Sequence, residues 1–302
     1  GGVGGAGKEG SVLVLGSGGL VGRAVVRWLE ERGYTVLHVR NRRHIDLRVP
    51  GAMSAFDARN ISYCFFLACE VGGSKFIESS ERSTQAGIID SNVRIYQEVL
   101  PYLARRDIPF VFTSSYLQET ENSYGVVKRL GEQWVRNLGG LGKILRLWNV
   151  YGAENVGLKS HVLSDWAAQC VASGRAQSRT DGNEERQFVH VDDTAWALGE
   201  AMQRHANLAM ESDISTGAWV DMRAVARALE EAASTDASED TTRACRVEFA
   251  STPATHRVRL SPKLDGPLHQ VWAPKISLLE GCRMLLAQYR ERAAASPDSP
   301  PE

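Results

Sequence analysis

The sequence predicts an α/β fold in which a doubly wound parallel sheet is joined to a smaller, interleaved C-terminal region. Two observations carry this prediction. Short apolar runs alternate with amphipathic helical patterns through the first half of the chain, which is typical of a parallel sheet covered by helices on both faces. The chain has 302 residues, 43% of them hydrophobic, which suffices for one large domain or two small ones.

Five apolar runs are the predicted strands of the sheet: residues 11–15, 35–39, 63–68, 109–113 and 143–147. The predicted helices between them are residues 20–32, 88–105 and 123–138. Gly33 ends the first of these as a C-cap. After about Tyr151 the strand signals thin to residues 187–191, 213–215 and 246–249. The polar stretch 232–244 is predicted to be a mobile surface loop.

Composition excludes several classes of protein. Lys and Arg number 35 against 36 Asp and Glu, so the chain has no excess of positive charge for nucleic acid. No apolar run is long enough to span a membrane, and the seven histidines show no metal-ligand spacing. We therefore expect no nucleic-acid partner, no membrane segment and no metal. The odd number of cysteines, with no CxxC pair, predicts reduced thiols and a cytoplasmic location.

A glycine-rich loop lies between the first predicted strand and helix. Gly16 permits a tight turn, Gly18 or Gly19 lets the backbone approach a pyrophosphate, and Gly22 allows close packing of the helix. The helix N-terminus adds oriented N–H groups and a positive dipole. The predicted phosphate-binding residues are Gly16, Gly18, Gly19, Leu20, Val21 and Gly22. The pattern predicts a Rossmann-type dinucleotide site, with a purely structural turn as the alternative.

Arginines rather than an acidic residue follow the second predicted strand. An acidic residue there would favour NAD by bonding the ribose 2′-hydroxyl. Arg40, Arg42 and Arg43 instead suit the additional phosphate of NADP, so we expect NADP, with NAD as the alternative. The arginines could also be the solvating charge of an exposed loop. Asp46 could face the adenine or be a surface residue.

Tyr124 and Lys128 are spaced i, i+4 on the predicted helix 123–138, so they share a face. A nearby fixed cation favours the phenolate, and a tyrosinate can take a proton from a sugar hydroxyl while hydride leaves the same carbon. The cluster Thr113, Ser114 and Ser115 could hold the reacting oxygen. These hydroxyl groups could equally cap a helix or turn.

Together these motifs resemble the extended short-chain dehydrogenase/reductase superfamily, in its nucleotide-sugar epimerase/dehydratase branch. The resemblance extends from residue 11 to about 288 and includes FFLACEVGG, TSS, SYGVVK, LRLWNVYG, RQFVHVDD and VWAPKISLLEG. Within the branch, CEVGGSKFIES is similar to GDP-fucose synthase and GDP-mannose 3,5-epimerase. The resemblance implies a nucleotide-sugar substrate.

The resemblance also implies a role for each matching residue. Tyr124 would be the acid/base, Lys128 would lower its pKa and bind the nicotinamide ribose, and Ser115, or Ser114 if the alignment shifts by one, would bond the reacting hydroxyl. The residues expected to contact cofactor or substrate are Leu67, Ala68 and Cys69 along the dinucleotide, Thr113 beside it, Asn149 at the nucleotide sugar and Arg186 at its diphosphate. Arg186 could equally form a surface ion pair.

The sequence departs from these relatives after the serines. They carry a cysteine there that serves as a ring proton donor or acceptor, whereas this chain has Tyr116-Leu117-Gln118. The Asp-Glu pair of the 4,6-dehydratases is also missing. Proton transfer at a ring carbon would need another group, with Cys69, Lys159 and His161 as candidates.

We therefore predict an NAD(P)-dependent nucleotide-sugar epimerase that acts through a transient keto sugar. An NADPH-dependent 4-keto sugar reductase is the alternative, and a non-catalytic cofactor sensor is a third hypothesis. The predicted organisation is a disordered leader at 1–10, a dinucleotide-binding domain at 11–151 with returns near 187–217, a mainly substrate-binding region at 152–290 and a disordered tail at 291–302. By family likeness we expect a homodimer formed through the helices 88–105 and 123–138.

Overall fold

The computed structural model describes residues 10–235, 245–254 and 260–295. Its first half alternates strands and helices. They are β1 (Ser11–Leu15), α1 (Leu20–Glu30), β2 (Val36–Val39), β3 (Ile61–Phe66), α2 (Ser74–Ile77), α3 (Arg82–Arg105), β4 (Phe110–Ser115), α4 (Ser123–Arg136) and β5 (Gly142–Leu147). Short 3₁₀ helices cover Ala52–Phe56 and Tyr116–Glu119.

The second half has shorter strands and longer connections. Its elements are β6 (Asn149–Tyr151), α5 (Val162–Ser173), β7 (Arg175–Gln177), β8 (Glu185–Arg186), β9 (Phe188–His190), α6 (Val191–Gln203), β10 (Glu211–Ile214), β11 (Val220–Asp221), α7 (Met222–Thr235), β12 (Arg246–Glu248) and α8 (Leu278–Ala295). Two further 3₁₀ helices cover His205–Asn207 and Pro267–Gln270.

The central sheet has six parallel strands in the order β10-β5-β4-β3-β1-β2. The chain leaves β1 to form β2 on one side and then crosses to β3 on the other. Leu15, at the end of β1, lies level with Val39 and Phe66 of these two neighbours. Ligands of doubly wound sheets bind at such a reversal, outside the carboxyl ends of the strands. The predicted Rossmann-type fold is confirmed.

The two faces of the sheet are buried by different helices, and β1 shows how its sequence serves both. Successive side chains of a strand point to opposite faces. Val12 and Val14 therefore pack with α1 and α6, whereas Leu13 and Leu15 pack with α3. All four side chains are fully buried. A continuous apolar run is what a strand covered on both faces requires.

The remaining strands form three two-stranded sheets, in which β6 pairs with β9, β7 with β12 and β8 with β11. A separate apolar core is built from α5, α7 and α8. The predicted mobile loop at 232–244 is wrong at its start: α7 continues to Thr235, and Ala232 and Ala233 are buried in this core. Residues 236–244 lie outside the described residues. Residues 1–9 of the predicted leader and 296–302 of the predicted tail also lie outside the described residues. Residues 291–295, which were predicted to be disordered, belong to α8.

The cysteines differ from the prediction of reduced thiols. Cys170 of α5 and Cys245, just before β12, form a disulfide with their Cα atoms 5.1 Å apart. The other three cysteines are free. The prediction was wrong for this pair because its members are 75 positions apart in the sequence and carry no spacing signal; the fold alone brings them together. No helix within the described residues is both long and apolar enough to cross a membrane.

A buried ion network fastens α4 to the sheet. Arg146 of β5 binds both carboxylate oxygens of Glu132 at 2.8 and 2.6 Å and also binds Glu211 of β10 at 2.7 Å. Arg136 binds the same two carboxylates. The Glu132 side chain is 1% exposed, so its charge depends on these partners.

Replacing Arg146 with methionine should lower the free energy of unfolding by about 3 kcal/mol, because a buried carboxylate then loses its bidentate partner. Urea denaturation followed by circular dichroism measures this. Arg94→Met is the matched control, since Arg94 pairs with Asp90 on the surface and its loss should cost less than about 1 kcal/mol. Equal losses of unfolding free energy in the two variants would show that the buried Glu132 carboxylate does not depend on Arg146.

Candidate active site

One cavity of about 1190 Å³ opens at the carboxyl ends of the central strands. Every residue predicted to contact cofactor or substrate lines it, including the glycine loop, the three arginines, the serines, Tyr124, Lys128, Asn149 and Arg186. Pockets for single small ligands span about 300–1,000 Å³. The cavity can therefore hold two ligands side by side.

The glycine loop is shaped by contacts that exclude side chains. Gly16 has φ +90°, and a Cβ on Gly22 would lie 2.1 Å from the Gly16 carbonyl oxygen. A Cβ on Gly18 would lie 2.5 Å from the Arg40 carbonyl oxygen. Gly18 thus allows close packing against the β2 end, and it also lines the cavity.

Gly19 is the open position of the loop. A Cβ there would meet only the Gly16 oxygen, at an ordinary 3.4 Å, so the space beyond it belongs to the cavity. Gly19 is also the N-cap of α1, which has no side-chain cap and no acidic residue in its first turn. Backbone N–H groups and a helix dipole suit an anion at this point. The residues present therefore fit the pyrophosphate of a dinucleotide.

The end of β2 carries the predicted arginines. Arg40, Arg42 and Arg43 are exposed and line the cavity. Asp46 is engaged by Arg48, whose Nε and Nη2 donate to it at 2.8 and 2.6 Å. These bonds lower the pKa of Asp46 to about 2. Asp46 therefore lines the cavity with its charge already paired.

Glu70, which the sequence reasoning missed, is a nearly buried carboxylate in this wall. It follows β3 and accepts hydrogen bonds from Arg42 on one oxygen and from Lys159 on the other. A buried acid is rare unless it is paired. The only sequence signal for it is one acidic residue within the otherwise apolar and small run CEVGG.

Tyr124 and Lys128 lie on the first turns of α4, as predicted, and both are buried. The Lys128 ammonium donates a 2.8 Å hydrogen bond to the Thr113 carbonyl oxygen at the end of β4. It also lies 5.6 Å from the centre of the Tyr124 ring. The Thr113 hydroxyl donates to Phe66 of β3, so Thr113 meets Lys128 through its backbone.

The Ser115 hydroxyl lowers the pKa of the Tyr124 phenol beside it, and its oxygen accepts the Leu117 N–H at 3.2 Å, capping the 3₁₀ helix that follows. Ser115 therefore has the capping role, and its bond to the reacting hydroxyl stays a prediction. The Ser114 hydroxyl and the Asn149 Oδ1 are buried without a partner in the structure. Buried polar atoms that line a cavity unpaired are suited to a polar ligand.

Burial raises the pKa of the Tyr124 phenol well above its ordinary value, and the Ser115 hydroxyl beside it offsets only part of this. The expectation that Lys128 lowers this pKa stays a prediction. Its ammonium is directed to the Thr113 carbonyl while the phenol is desolvated. Tyr124 is protonated across the neutral range.

One part of the cavity has an aromatic wall. Tyr116 stacks on Trp148 with ring centres 4.8 Å apart, and Trp148 donates to Asp213. Asn149 Nδ2 donates to the Tyr116 hydroxyl at 3.4 Å. Arg186, whose side chain is 13% exposed, lies 3.7 Å from Glu184. Arg186 is thus in a cavity wall rather than on the open surface.

The three candidates for proton transfer at a ring carbon are not equivalent. Lys159 is paired with Glu70, and the His161 Nδ1 lies 2.9 Å from Glu154. Cys69 lies beside Tyr124 in a small apolar cluster. Two of the three are therefore committed to carboxylates. Within the described residues, no group of three or more potential ligand side chains could hold a metal ion.

The fold and the cavity define an enzyme that works with a nicotinamide dinucleotide. A model of the NAD dependent epimerase/dehydratase family matches residues 12–217, and the chain belongs to this family. The predicted resemblance to nucleotide-sugar enzymes of the extended short-chain dehydrogenase/reductase type is confirmed.

Among curated proteins, the chain is 25% identical over 264 residues to GDP-L-fucose synthase 1 of Arabidopsis thaliana, covering 74% of this chain and 78% of that protein. Two solved structures share the fold. One is a GDP-6-OMe-4-keto-L-xylo-heptose reductase from C. jejuni, with TM-score 0.79, 19% identity and coverage of 96% and 100%. The other is a GDP-L-fucose synthetase from Naegleria fowleri bound to NADP, with TM-score 0.76, 15% identity and coverage of 96% and 95%.

Gly19→Ala should leave the fold intact and weaken dinucleotide binding at least about tenfold, because the added methyl meets no protein atom closely but occupies the phosphate space. Calorimetric titration with NADP⁺ and NAD⁺ measures the loss, and thermal unfolding measures the fold. Gly87→Ala is the control, because a Cβ there has no neighbour within 4 Å and Gly87 lies away from the cavity. Unchanged binding in Gly19→Ala would remove the loop from the cofactor site.

Proposed function

We propose that the chain is an NADPH-dependent reductase of a 4-keto nucleotide sugar. The observation that carries this proposal is the buried Tyr124 phenol at the cavity, one helical turn from Lys128, whose ammonium lies 5.6 Å from the centre of the phenol ring. Reduction of a ketone needs a proton for the oxygen as the carbon receives hydride. A phenol that burial keeps protonated is suited to supply that proton.

Each residue of the cavity has a defined task in this proposal. When bound, the reduced nicotinamide supplies the hydride that converts the C=O group to CH–O. Tyr124 donates its proton to the same oxygen, so the product is a neutral hydroxyl. Ser115 hydrogen-bonds that oxygen, with Ser114 as a second donor. Lys128 binds the nicotinamide ribose and limits the charge that the phenol develops as its proton leaves.

The other predicted residues hold the two ligands in place. The glycine loop and the N-terminus of α1 bind the pyrophosphate, with Leu67, Ala68, Cys69 and Thr113 along the dinucleotide. Arg40, Arg42 and Arg43 support NADP over NAD, because guanidinium groups pair with the ribose phosphate. Asn149 and Arg186 bind the nucleotide sugar, Arg186 at its diphosphate. The relative from Naegleria fowleri, which is bound to NADP, agrees with this choice.

An epimerase is the second candidate, and it is the function that the sequence favoured. It would use the same residues: Tyr124 would first accept the hydroxyl proton, and hydride would return to the other face of the keto sugar. The size of the cavity supports this candidate, since a sugar must turn between the two steps. A non-catalytic sensor has no use for Tyr124 and Lys128 together, so we set it third.

We also infer the organisation predicted from the sequence, with residues 11–151 mainly binding the dinucleotide and residues 152–290 mainly binding the sugar. A homodimer through α3 and α4 is supported by large apolar side chains that these helices expose: Ile89, Val126 and Leu130. A cytoplasmic location fits the free cysteines, whereas the Cys170–Cys245 disulfide argues against it, because such bonds are rare in reducing compartments.

Tyr124→Phe should fold and bind dinucleotide normally but lose at least about 100-fold in turnover, the lower range for general acid–base catalysis. Tyr96→Phe is the matched control. Its phenol is also buried, but the hydroxyl has no partner in the structure and does not line the cavity. Turnover of both variants is measured with the same 4-keto nucleotide sugar. Full activity in Tyr124→Phe would refute the assignment of Tyr124 as the proton donor.

Net reduction predicts loss of one NADPH for each sugar converted. The absorbance of the reduced nicotinamide should therefore fall in proportion to product when GDP- or UDP-linked 4-keto sugars are supplied. The rate of reduction should hold through the neutral range and fall only at alkaline pH, since the protonated phenol is the active form and burial raises its pKa. Inversion of a nucleotide sugar without net change in absorbance would instead establish the epimerase.

A further inference from the structure

The backbone of Glu70, which lines the cavity, is held by two hydrogen bonds with Asn92. Its N–H donates to the Asn92 Oδ1 at 2.9 Å, and its carbonyl oxygen accepts from the Asn92 Nδ2 at 3.1 Å. Asn92 is fully buried on α3 and also donates to the Ile88 carbonyl. These bonds fix the backbone of Glu70, so its carboxylate has a defined place just beyond the end of β3.

Two cations reach this carboxylate from opposite walls. Arg42 comes from the segment after β2, and Lys159 comes from the loop before α5. The Glu70 side chain is 10% exposed, whereas those of Arg42 and Lys159 are 49% and 50% exposed. The carboxylate is therefore the fixed member of the trio, and the cations are free to change partners.

Arg42 is one of the arginines expected to meet the ribose phosphate of NADP. A guanidinium pairs with a carboxylate or a phosphate through the same N–H groups, and its Nη2 already donates to Glu70. Binding the phosphate requires Arg42 to give up this partner. The negative charge of Glu70 also opposes the arrival of a dianion. NAD, which lacks that phosphate, meets neither cost.

We propose that Glu70 is a specificity-determining residue that competes with the ribose phosphate of NADP for Arg42, and so reduces the preference of the enzyme for NADP over NAD. This inference rests on the proposed function, in which the arginines after β2 bind that phosphate. Lys159 keeps the Glu70 carboxylate paired when Arg42 leaves. This gives a role to Lys159, which the proposed reaction does not use.

The test is a double-mutant cycle on the full chain, with dissociation constants for NADP⁺ and NAD⁺ measured by calorimetry. Glu70→Gln should tighten NADP⁺ binding about fivefold, the scale of an exposed ion pair, and change NAD⁺ binding less than about twofold. Arg42→Gln should weaken NADP⁺ binding about tenfold. In the Arg42→Gln background, Glu70→Gln should change the NADP⁺ dissociation constant less than about twofold, because the guanidinium for which Glu70 and the ribose phosphate compete is then absent.

Each other outcome has a distinct meaning. If Glu70→Gln tightens NADP⁺ equally with and without Arg42, the effect is one of general charge and the competition is refuted. If the wild type prefers NADP⁺ and Glu70→Gln changes nothing, the inference fails while the proposed cofactor stands. If the wild type prefers NAD⁺ and the cycle shows no coupling between Glu70 and Arg42, the inference and the proposed use of NADP both fail. Thermal unfolding monitors the fold, and Glu70→Asp, with its carboxylate drawn back by one methylene, gives a smaller shift in the same direction should Glu70→Gln not fold.

Discussion

The site depends on how closely α4 approaches β4. Lys128 anchors the helix by donating to the Thr113 carbonyl at 2.8 Å, and the helix can come this near because Gly131, which faces Phe112 of β4, lacks a side chain. A Cβ on Gly131 would lie 2.5 Å from the Phe112 ring, and one on Gly125 would lie 2.4 Å from the oxygen of Thr120 in the turn before α4. The close approach places Tyr124 beside Ser115 at the end of β4, so packing and catalytic geometry have a common cause.

Charge in the cavity is arranged in pairs across elements that are distant in sequence. Arg42, after β2, and Lys159, in the loop before α5, both pair with Glu70, and Lys75 of α2 pairs with Asp165 of α5. Such pairs hold the two walls of the cavity together, because each one joins an element of one wall to an element of the other. An anionic ligand that binds Arg42 or Lys159 therefore exchanges partners with an existing ion pair.

The sequence predicted the sheet, the glycine loop and the Tyr124–Lys128 pair because each depends on local patterns: apolar runs, glycines at fixed intervals, an i, i+4 spacing. It could not predict Glu70 or the Cys170–Cys245 bond, since those depend on contacts between distant segments. It also misjudged one local point. The polarity after Ala233 hid the buried end of α7, where small alanines suit a tight helix interface.

The disulfide has a consequence for the covalent topology of the chain. It joins α5 to the segment before β12, and its two cysteines are 75 positions apart in the sequence. The covalent ring that it closes includes the strand that carries Arg186. A single backbone cleavage anywhere within that ring leaves one molecule, not two fragments, until a reductant opens the bond. A protease nick within that ring would therefore change the mass under oxidising conditions only by the water added, and the two parts of the cleaved chain would stay joined by the disulfide.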